Sequence, residues 1–324
     1  MAFCSKIVST GSYLPEKVVT NHDLEKIVET SDEWIVKRSG IKERRIAAEG
    51  ETTADMAIEA ARKAIEESGI LAEAIDGVIV ATTTPDQTFP SVAVKVQAAL
   101  GIPVCAAFDM QAVCTGFVYA LATGDNFIKC GQLKRVLVIG AEKMSSVLNW
   151  EDRTTCVLFG DGAGAVILEA SEYQGDKPEQ GVYSTHLYAD GKLRDLLYTD
   201  GGPSSTGTCG HIVMQGREVF KYAVSFMAGA VNDALEENNL SAEDIDWLVP
   251  HQANIRIIEA TAKKLRMPIE KVILTVETHG NTSAASIPLA FDEGVRSGKI
   301  KHGDLVLFEA MGGGITWGSA LARF

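Results

Sequence analysis

AIEESGILAEAIDGVIV (residues 64–80) returns without a gap as ALEENNLSAEDIDWLVP (residues 234–250). Ala64/Ala234, Glu66/Glu236, Glu67/Glu237, Ala72/Ala242, Glu73/Glu243, Ile75/Ile245 and Asp76/Asp246 are identical pairs at an offset of 170 (64 to 234). A second echo, Gly131-Gln132-Leu133-Lys134 against Gly298-Lys299-Ile300-Lys301, lies at an offset of 167 (131 to 298). Two similar halves are expected to pack about a pseudo-two-fold axis, where equivalent loops meet. The 167 offset carries Cys114 onto Asn281 and makes those two candidate neighbours. The halves are placed at residues 1–172 and 173–324, joined near the polar stretch 171–180.

Working outward, the pattern alternates helices with apolar strands. Residues 53–68 carry apolar positions at helical spacing, with Thr53 as N-cap and Gly69 as stop. Residues 77–80 and 136–140 read as strands, 91–100 and 113–129 as helices. The second half repeats the order: helix 217–238, strand 246–249, helix 254–265, helix 283–296, strand 304–309. Continuous apolar strands between helices imply sheets covered on both faces. Two such α/β halves give two sheets between three helical layers. Ligands of such sheets bind at the carboxyl ends of the strands. Cys114, His251, Asn281 and Gly312-Gly313-Gly314 fall in such loops. The run Gly160-Asp161-Gly162-Ala163-Gly164 does not open a helix after a strand, so it reads as tight packing and not as a phosphate loop.

Composition narrows the function. The 324 residues carry a net charge of −13 and are 46% apolar. An acidic chain is a poor non-specific binder of nucleic acid or anionic membrane. No apolar run reaches the roughly 18 residues of a membrane span, and the N-terminus lacks a cationic region before an apolar one, so no secretory signal is expected. Six cysteines with neither CxxC nor zinc-ligand spacing favour a reducing, cytoplasmic setting and no metal.

Cys114 sits at a predicted helix start, where the dipole and free N–H groups are expected to lower the thiol pKa. His251 leaves a core strand after Pro250, and His279 ranks second to it. Asn281, beside a Cys and a His from partner loops, suits an oxyanion or enolate. Three glycines at 312–314 let a backbone N–H approach a substrate closely.

Together these residues resemble the β-ketoacyl-acyl-carrier-protein synthase III family of thiolase-fold condensing enzymes. The resemblance rests on Thr30-Ser31-Asp32-Glu33-Trp34-Ile35, Arg38-Ser39-Gly40-Ile41, the Cys114 segment, Pro250-His251-Gln252-Ala253-Asn254, Gly280-Asn281-Thr282-Ser283-Ala284-Ala285-Ser286 and the terminal glycines. It covers essentially the whole chain and implies a thiolase-like five-layer αβαβα sandwich. It also implies that Cys114 is acylated by an acyl-CoA, most readily acetyl-CoA. The N–H groups of Cys114 and Gly313 would then hold the oxyanion, while His251 and Asn281 stabilise the enolate from malonyl-acyl-carrier-protein. Trp34 and Arg153 would sandwich the CoA adenine, with Thr30 and Arg38 along the entrance and Asn254 near the pantetheine arm. Lys221, Arg256 and Lys263 would dock the acidic acyl-carrier-protein. Phe89 would enter the partner's acyl pocket in a homodimer, and Met311 would line that pocket. The resemblance implies no cofactor.

Other readings weigh less. A thiolase would carry a second cysteine where Glu309-Ala310-Met311-Gly312 stands, and an elongating synthase a second histidine where Asn281 stands. A relative using another primer or acceptor in secondary metabolism is the nearest alternative. A silent acyl-CoA-binding protein would not need the Cys114, His251 and Asn281 set.

Overall fold

The computed structural model describes residues 2–175 and 178–324; part of the polar stretch 171–180, at Asp176 and Lys177, lies outside the described residues. The elements of the first half are β1 (Ala2–Tyr13), β2 (Val18–Thr20), α1 (Asn21–Leu24), α2 (Asp32–Ser39), β3 (Glu43–Arg45), α3 (Thr53–Ser68), β4 (Gly77–Ala81), α4 (Val92–Ala99), β5 (Ala106–Met110), α5 (Gly116–Lys129), β6 (Arg135–Lys143) and β7 (Asp161–Tyr173). Those of the second are β8 (Gly181–Ala189), β9 (Leu197–Thr199), β10 (Ile212–Met214), α6 (Gly216–Glu237), β11 (Trp247–Pro250), α7 (Ile255–Lys264), α8 (Val276–His279), α9 (Ser286–Arg296), β12 (Leu305–Gly312) and β13 (Thr316–Arg323).

The sheets repeat one plan. The first runs β1-β7-β6-β4-β5 and the second β11-β12-β13-β8. In each, the strand of the repeated segment pairs in parallel with the next long strand, β4 with β6 and β11 with β12. That strand pairs antiparallel with the one that follows it, β6 with β7 and β12 with β13. The first strand of each half then closes the edge, β1 against β7 and β8 against β13. Where the first sheet has β5, the second has a single parallel bridge, Leu248 to Val272.

Side-chain alternation sorts the core into layers. On β6, Val136 and Val138 join the cluster between the sheets, whereas Leu137, Ile139 and Ala141 face α3 and α4. On β12, Val306, Phe308 and Ala310 face inward, whereas Leu305 and Leu307 join the outer cluster under α6 and α7. α5 and α9 lie between the two sheets and touch strands of both. This is the thiolase-like five-layer αβαβα arrangement, and it explains why the central strands are apolar without interruption.

Local chemistry sets the helix ends. α3 starts one residue earlier in its logic than the sequence reading had it: Thr52, not Thr53, is the N-cap, in a reciprocal box with Asp55. The Thr53 hydroxyl instead donates to the Thr84 carbonyl at 2.6 Å. Gly69, at φ 65°, ends the helix as expected. The 160–164 glycines do serve close packing: a Cβ on Gly164 would sit 2.7 Å from Pro288 and Leu289 of α9.

The pairing of Cys114 with Asn281 is corrected by the structure. The turn Val113–Thr115 leads into α5 and the turn Ser283–Ala285 into α9, an offset of 170 (113 to 283). Val113 and Ser283 even share a left-handed backbone, φ 51° and 50°. Cys114 therefore matches Ala284. The 167 offset arises later, because α5 has 14 residues and α9 has 11, so Gly131 and Gly298 fall in register only beyond the helices. Cys114 and Asn281 do come together, but by convergence of neighbouring loops and not as symmetry mates.

Candidate active site

Cys114 is buried at the α5 lead-in turn. The β12–β13 hairpin presses on that turn: the Thr316 hydroxyl donates to the Ala112 carbonyl at 2.8 Å, and the Thr115 hydroxyl to the Thr316 carbonyl at 3.0 Å. Gly312 lies so close that a Cβ there would be 2.7 Å from the Cys114 nitrogen. The Ser283 hydroxyl and the N–H groups of Gly313 and of Cys114 itself lie near the thiol and favour its ionised form. Helix position led us to expect a lowered thiol pKa, and the sign is the reverse. Burial pushes the thiol up to about 12, outweighing those donors, and the Glu142 charge adds to the rise. Burial thus favours the thiol over the thiolate.

His251 follows β11, with its N–H donating to the Glu309 carbonyl at 2.8 Å. Its Nδ1 lies 2.6 Å from Ser286 Oγ, which also accepts the Gln252 N–H at 3.3 Å. Burial drives the imidazole down to about 3, so it is neutral at physiological pH. A Ser286 hydroxyl that donates to Nδ1 fixes the tautomer with the ring proton on Nε2. Asn281 is pinned by its backbone, which exchanges hydrogen bonds with Leu158 and Gly160, and its Oδ1 accepts the Ser283 N–H at 2.9 Å. That bond commits the oxygen and leaves the amide NH₂ as the donor toward the cavity.

Cys114, His251 and Asn281 all line one cavity of about 640 Å³. Its mouth carries Trp34, Arg38, Arg217, Phe220 and Arg256. Cys114 also lines a second cavity of about 300 Å³, with Val113, Met144, Phe159, Leu197 and Gly313. The thiol thus stands between a larger chamber with a cationic mouth and a smaller one.

Comparison with known proteins bears on this arrangement. Residues 108–191 match the family model described as 3-oxoacyl-[acyl-carrier-protein] synthase III, and residues 235–324 the model for its C-terminal part. The chain is 62% identical over 319 residues to the β-ketoacyl-[acyl-carrier-protein] synthase III of Paramagnetospirillum magneticum, covering 98% of each. It is 61% identical over 324 residues to that of Rhodospirillum centenum, covering both completely. The crystal structure of 3-oxoacyl-[acyl-carrier-protein] synthase III from Aquifex aeolicus superposes with a TM-score of 0.93 at 51% identity, covering 99% of this chain and 100% of that one. The chain belongs to the 3-oxoacyl-[acyl-carrier-protein] synthase III family. It is a condensing acyltransferase of fatty acid biosynthesis.

Within this synthase fold, the remaining expected residues fall in several places. Asn254 lines the larger cavity while capping α7 through Ile257 N at 3.0 Å. Arg38 and Arg153 lie over the Trp34 ring at 4.2 and 5.3 Å. Arg153 itself lines neither cavity, and its guanidinium donates to the Glu29 carbonyl at 3.0 Å. Thr30 lines neither cavity, and its buried hydroxyl has no hydrogen-bond partner. Met311 lines the larger cavity and not the smaller. Phe89 is 82% exposed and lines neither cavity. Lys221, Arg256 and Lys263 are all exposed, and Arg256 also stacks over Phe220 at 5.5 Å. His279 lines neither cavity. Among the described residues no group of three metal-ligating side chains converges, and no helix is long and apolar enough to cross a membrane.

Several positioning residues escaped the sequence reading. Gln252 is a buried staple: its Nε2 donates to the Pro250 and Ile273 carbonyls and its Oε1 accepts the Thr275 and Val276 N–H groups. It locks the backbone carrying His251 to the segment before Asn281. Arg44, wholly buried, clamps the Val19 and Val157 carbonyls and Asn21 Oδ1. Its Cβ would lie 3.2 Å from a Cβ on Gly280, just before Asn281. Arg217, four residues before Lys221 on α6, was overlooked. Arg44 and Arg217 carry no local motif, and Gln252, though inside the quoted stretch from Pro250 to Asn254, shows no sign of its stapling role in sequence.

Proposed function

We propose that this synthase condenses an acyl-CoA primer, most readily acetyl-CoA, with malonyl-acyl-carrier-protein to give 3-oxoacyl-carrier-protein, CoA and CO₂. The observation that carries this reading is the placing of Cys114 between the two chambers, with His251 and Asn281 facing the larger one. The cationic mouth suits the phosphates of CoA and of a carrier's pantetheine arm, and Trp34 with Arg153 suits a sandwich around adenine. The smaller chamber suits the primer's acyl group.

In the first half-reaction Cys114 Sγ attacks the thioester carbon, and the N–H groups of Cys114 and Gly313 hold the oxyanion. The bond to CoA sulfur breaks, leaving acyl-Cys114. In the second, the malonyl thioester oxygen accepts from His251 Nε2 and the Asn281 amide. The bond to the carboxylate breaks, CO₂ leaves, and negative charge builds on that oxygen. A neutral imidazole suits this role, since it donates without a desolvated cation. The carbanion then attacks the acyl group and Cys114 departs as thiolate. With one proton from water for the departing CoA thiolate, atoms and electrons balance with the two substrates, so the chemistry calls for no cofactor.

The edge strand β5, with Val104 and Phe89 exposed beside it, supports a homodimer in which two such edges meet. Sedimentation at twice 34.7 kDa would agree with this, and a monomer would refute it. Lys221, Arg256 and Lys263 supply a basic face for an acidic carrier on a chain of net charge −13. Free thiols at all six cysteines suit the cytoplasm.

The test is intact-protein mass after brief mixing with acyl-CoAs of graded length, comparing wild type with Cys114→Ala. An acyl adduct on wild type alone, discharged by malonyl-carrier-protein, is the expected result. An adduct that survives Cys114→Ala would refute the nucleophile.

A further inference from the structure

The buried thiol and neutral imidazole leave a question: what receives the Cys114 proton when sulfur attacks? Glu142 answers it by position. This carboxylate is wholly buried near the end of β6, on the face turned toward the helices between the sheets. It accepts from the Thr82 hydroxyl at 3.3 Å, the Thr83 N–H at 3.0 Å, the Thr83 hydroxyl at 3.0 and 3.1 Å and the Thr84 hydroxyl at 2.6 Å. Its remaining partner is the Ser283 hydroxyl at 3.0 Å. The Ser283 turn packs against the Cys114 turn, and the same hydroxyl lies near the thiol and favours its ionised form. Among the described residues no cation pairs with it: Lys143, next in β6, sends its ammonium to the Glu51 carbonyl. Asp161 on β7 is engaged by Ser145 and the Ala47 N–H, and Cys114 is the ionisable group facing Glu142 through Ser283. The family reading of Cys114 as nucleophile gives this network no task, and the inference rests on that reading.

We propose that Ser283 and Glu142 form a proton relay that takes the Cys114 proton as the thiol attacks its acyl donor and returns it when the acyl group departs. One hydroxyl hydrogen cannot serve both neighbours at once. With Glu142 ionised, Ser283 donates to it, and its oxygen accepts from the Cys114 S–H. As sulfur attacks, the S–H bond breaks and that proton joins Ser283 Oγ, while the former Ser283 hydrogen moves to a Glu142 oxygen. Both hydrogen bonds now point the other way: Glu142 donates to Ser283, and Ser283 donates toward sulfur. CoA leaves as thiolate and is protonated by water. When condensation expels Cys114 as thiolate, the two protons step back and the thiol is restored. Burial, which raises the carboxyl pKa, makes Glu142 a better proton acceptor than a solvated carboxylate. Ser283 is held for this by its left-handed backbone (φ 50°) and by its N–H on Asn281 Oδ1. Glu142 acts on sulfur through Ser283, so it is a positioning residue, whereas Ser283 is the group set beside the reacting atom.

The test separates the half-reactions. Acyl-adduct formation from acyl-CoA is timed by quenched mass, and CO₂ release from malonyl-carrier-protein is measured separately, for wild type, Cys114→Ala, Glu142→Gln, Glu142→Asp and Ser283→Ala. Glu142→Gln and Ser283→Ala are expected to slow acylation at pH 7 by about 100-fold, with CO₂ release altered far less. Acylation by Glu142→Gln should climb about tenfold per pH unit as solvent base substitutes, more steeply than wild type, and Glu142→Asp should recover part of the loss. Ser283→Ala, which removes a single oxygen, carries the test if Glu142→Gln does not fold. Wild-type acylation rates and pH profiles in both variants would overturn the relay while leaving the Cys114 reading intact. Equal loss of both half-reactions would reduce the network to scaffold and also overturn it. An adduct on Cys114→Ala would instead sink the underlying reading.

Discussion

Glu309 shows how one side chain ties the site to stability. Both its carboxyl oxygens are buried without a hydrogen-bond partner, and burial lifts it to about 8 from an ordinary 4.5. Its folded pKa is raised, so it favours the fold fully below pH 4.5, and that contribution is lost as pH rises through about 8. His251 and His279 act in the other direction. They are held down to about 3 and about 4 from 6.5, so their contribution is full above pH 6.5 and is lost as pH falls. The raised carboxyls of Glu142, Asp161, Asp125 and Asp109 share the sign of Glu309. Glu309→Gln should therefore make the decline of stability between pH 6.5 and 8 shallower by about 1.4 kcal/mol per pH unit. Chemical denaturation across that range checks it, and parallel curves for variant and wild type would contradict it. Sequence reading saw Glu309 only as the residue where a thiolase keeps its second cysteine region, because nothing local marks a carboxylate as buried.

At the level of elements, the β12–β13 hairpin acts as a template for the Cys114 turn. Gly312→Ala would thrust a Cβ to 2.7 Å from the Cys114 nitrogen, 2.8 Å from the Ala112 carbonyl oxygen and 3.0 Å from the Thr115 nitrogen. All three are backbone atoms, so the turn itself must move. We expect acyl-adduct formation to slow by about 100-fold as the Cys114 N–H leaves its oxyanion position, with a loss of about 2 kcal/mol in stability from overpacking. Quenched mass spectrometry and thermal unfolding read the two effects, and an unimpaired adduct rate would show that the hairpin only fills space. The three glycines were legible as a site for close backbone approach. That the approach is to the nucleophile's own turn was not, since Gly312 and Cys114 are far apart in the chain.

Across the whole molecule, the basic face divides into two jobs. Arg256 lines the mouth of the larger cavity, whereas Lys221 and Lys263 line neither cavity. Charge reversal at Lys221 or Lys263 should raise KM for malonyl-carrier-protein by about tenfold, more at low salt, and spare acylation by acyl-CoA. Arg256→Glu should weaken both half-reactions, because acyl-CoA passes the same mouth. Steady-state kinetics at two salt concentrations test this, and equal loss of both substrates for the lysine variants would count against a docking face. The original expectation treated all three cations alike, and only their placement around the mouth separates them.

By itself the sequence determined the duplication, the layer order and the identity of the groups around the thiol. Repeats, apolar runs and capping residues are local, and local periodicity is enough to set elements and faces. The tertiary structure alone decided three things. It set the partner of Cys114 under the pseudo-symmetry, because α9 is three residues shorter than α5 (14 against 11). It set the sign of the thiol pKa, because helix position favours the thiolate whereas complete burial, a property of the whole packed chain, opposes it more strongly. And it joined Glu142 and Ser283, 141 residues apart, at the sulfur, because two sheets had to close on two central helices before those side chains could meet.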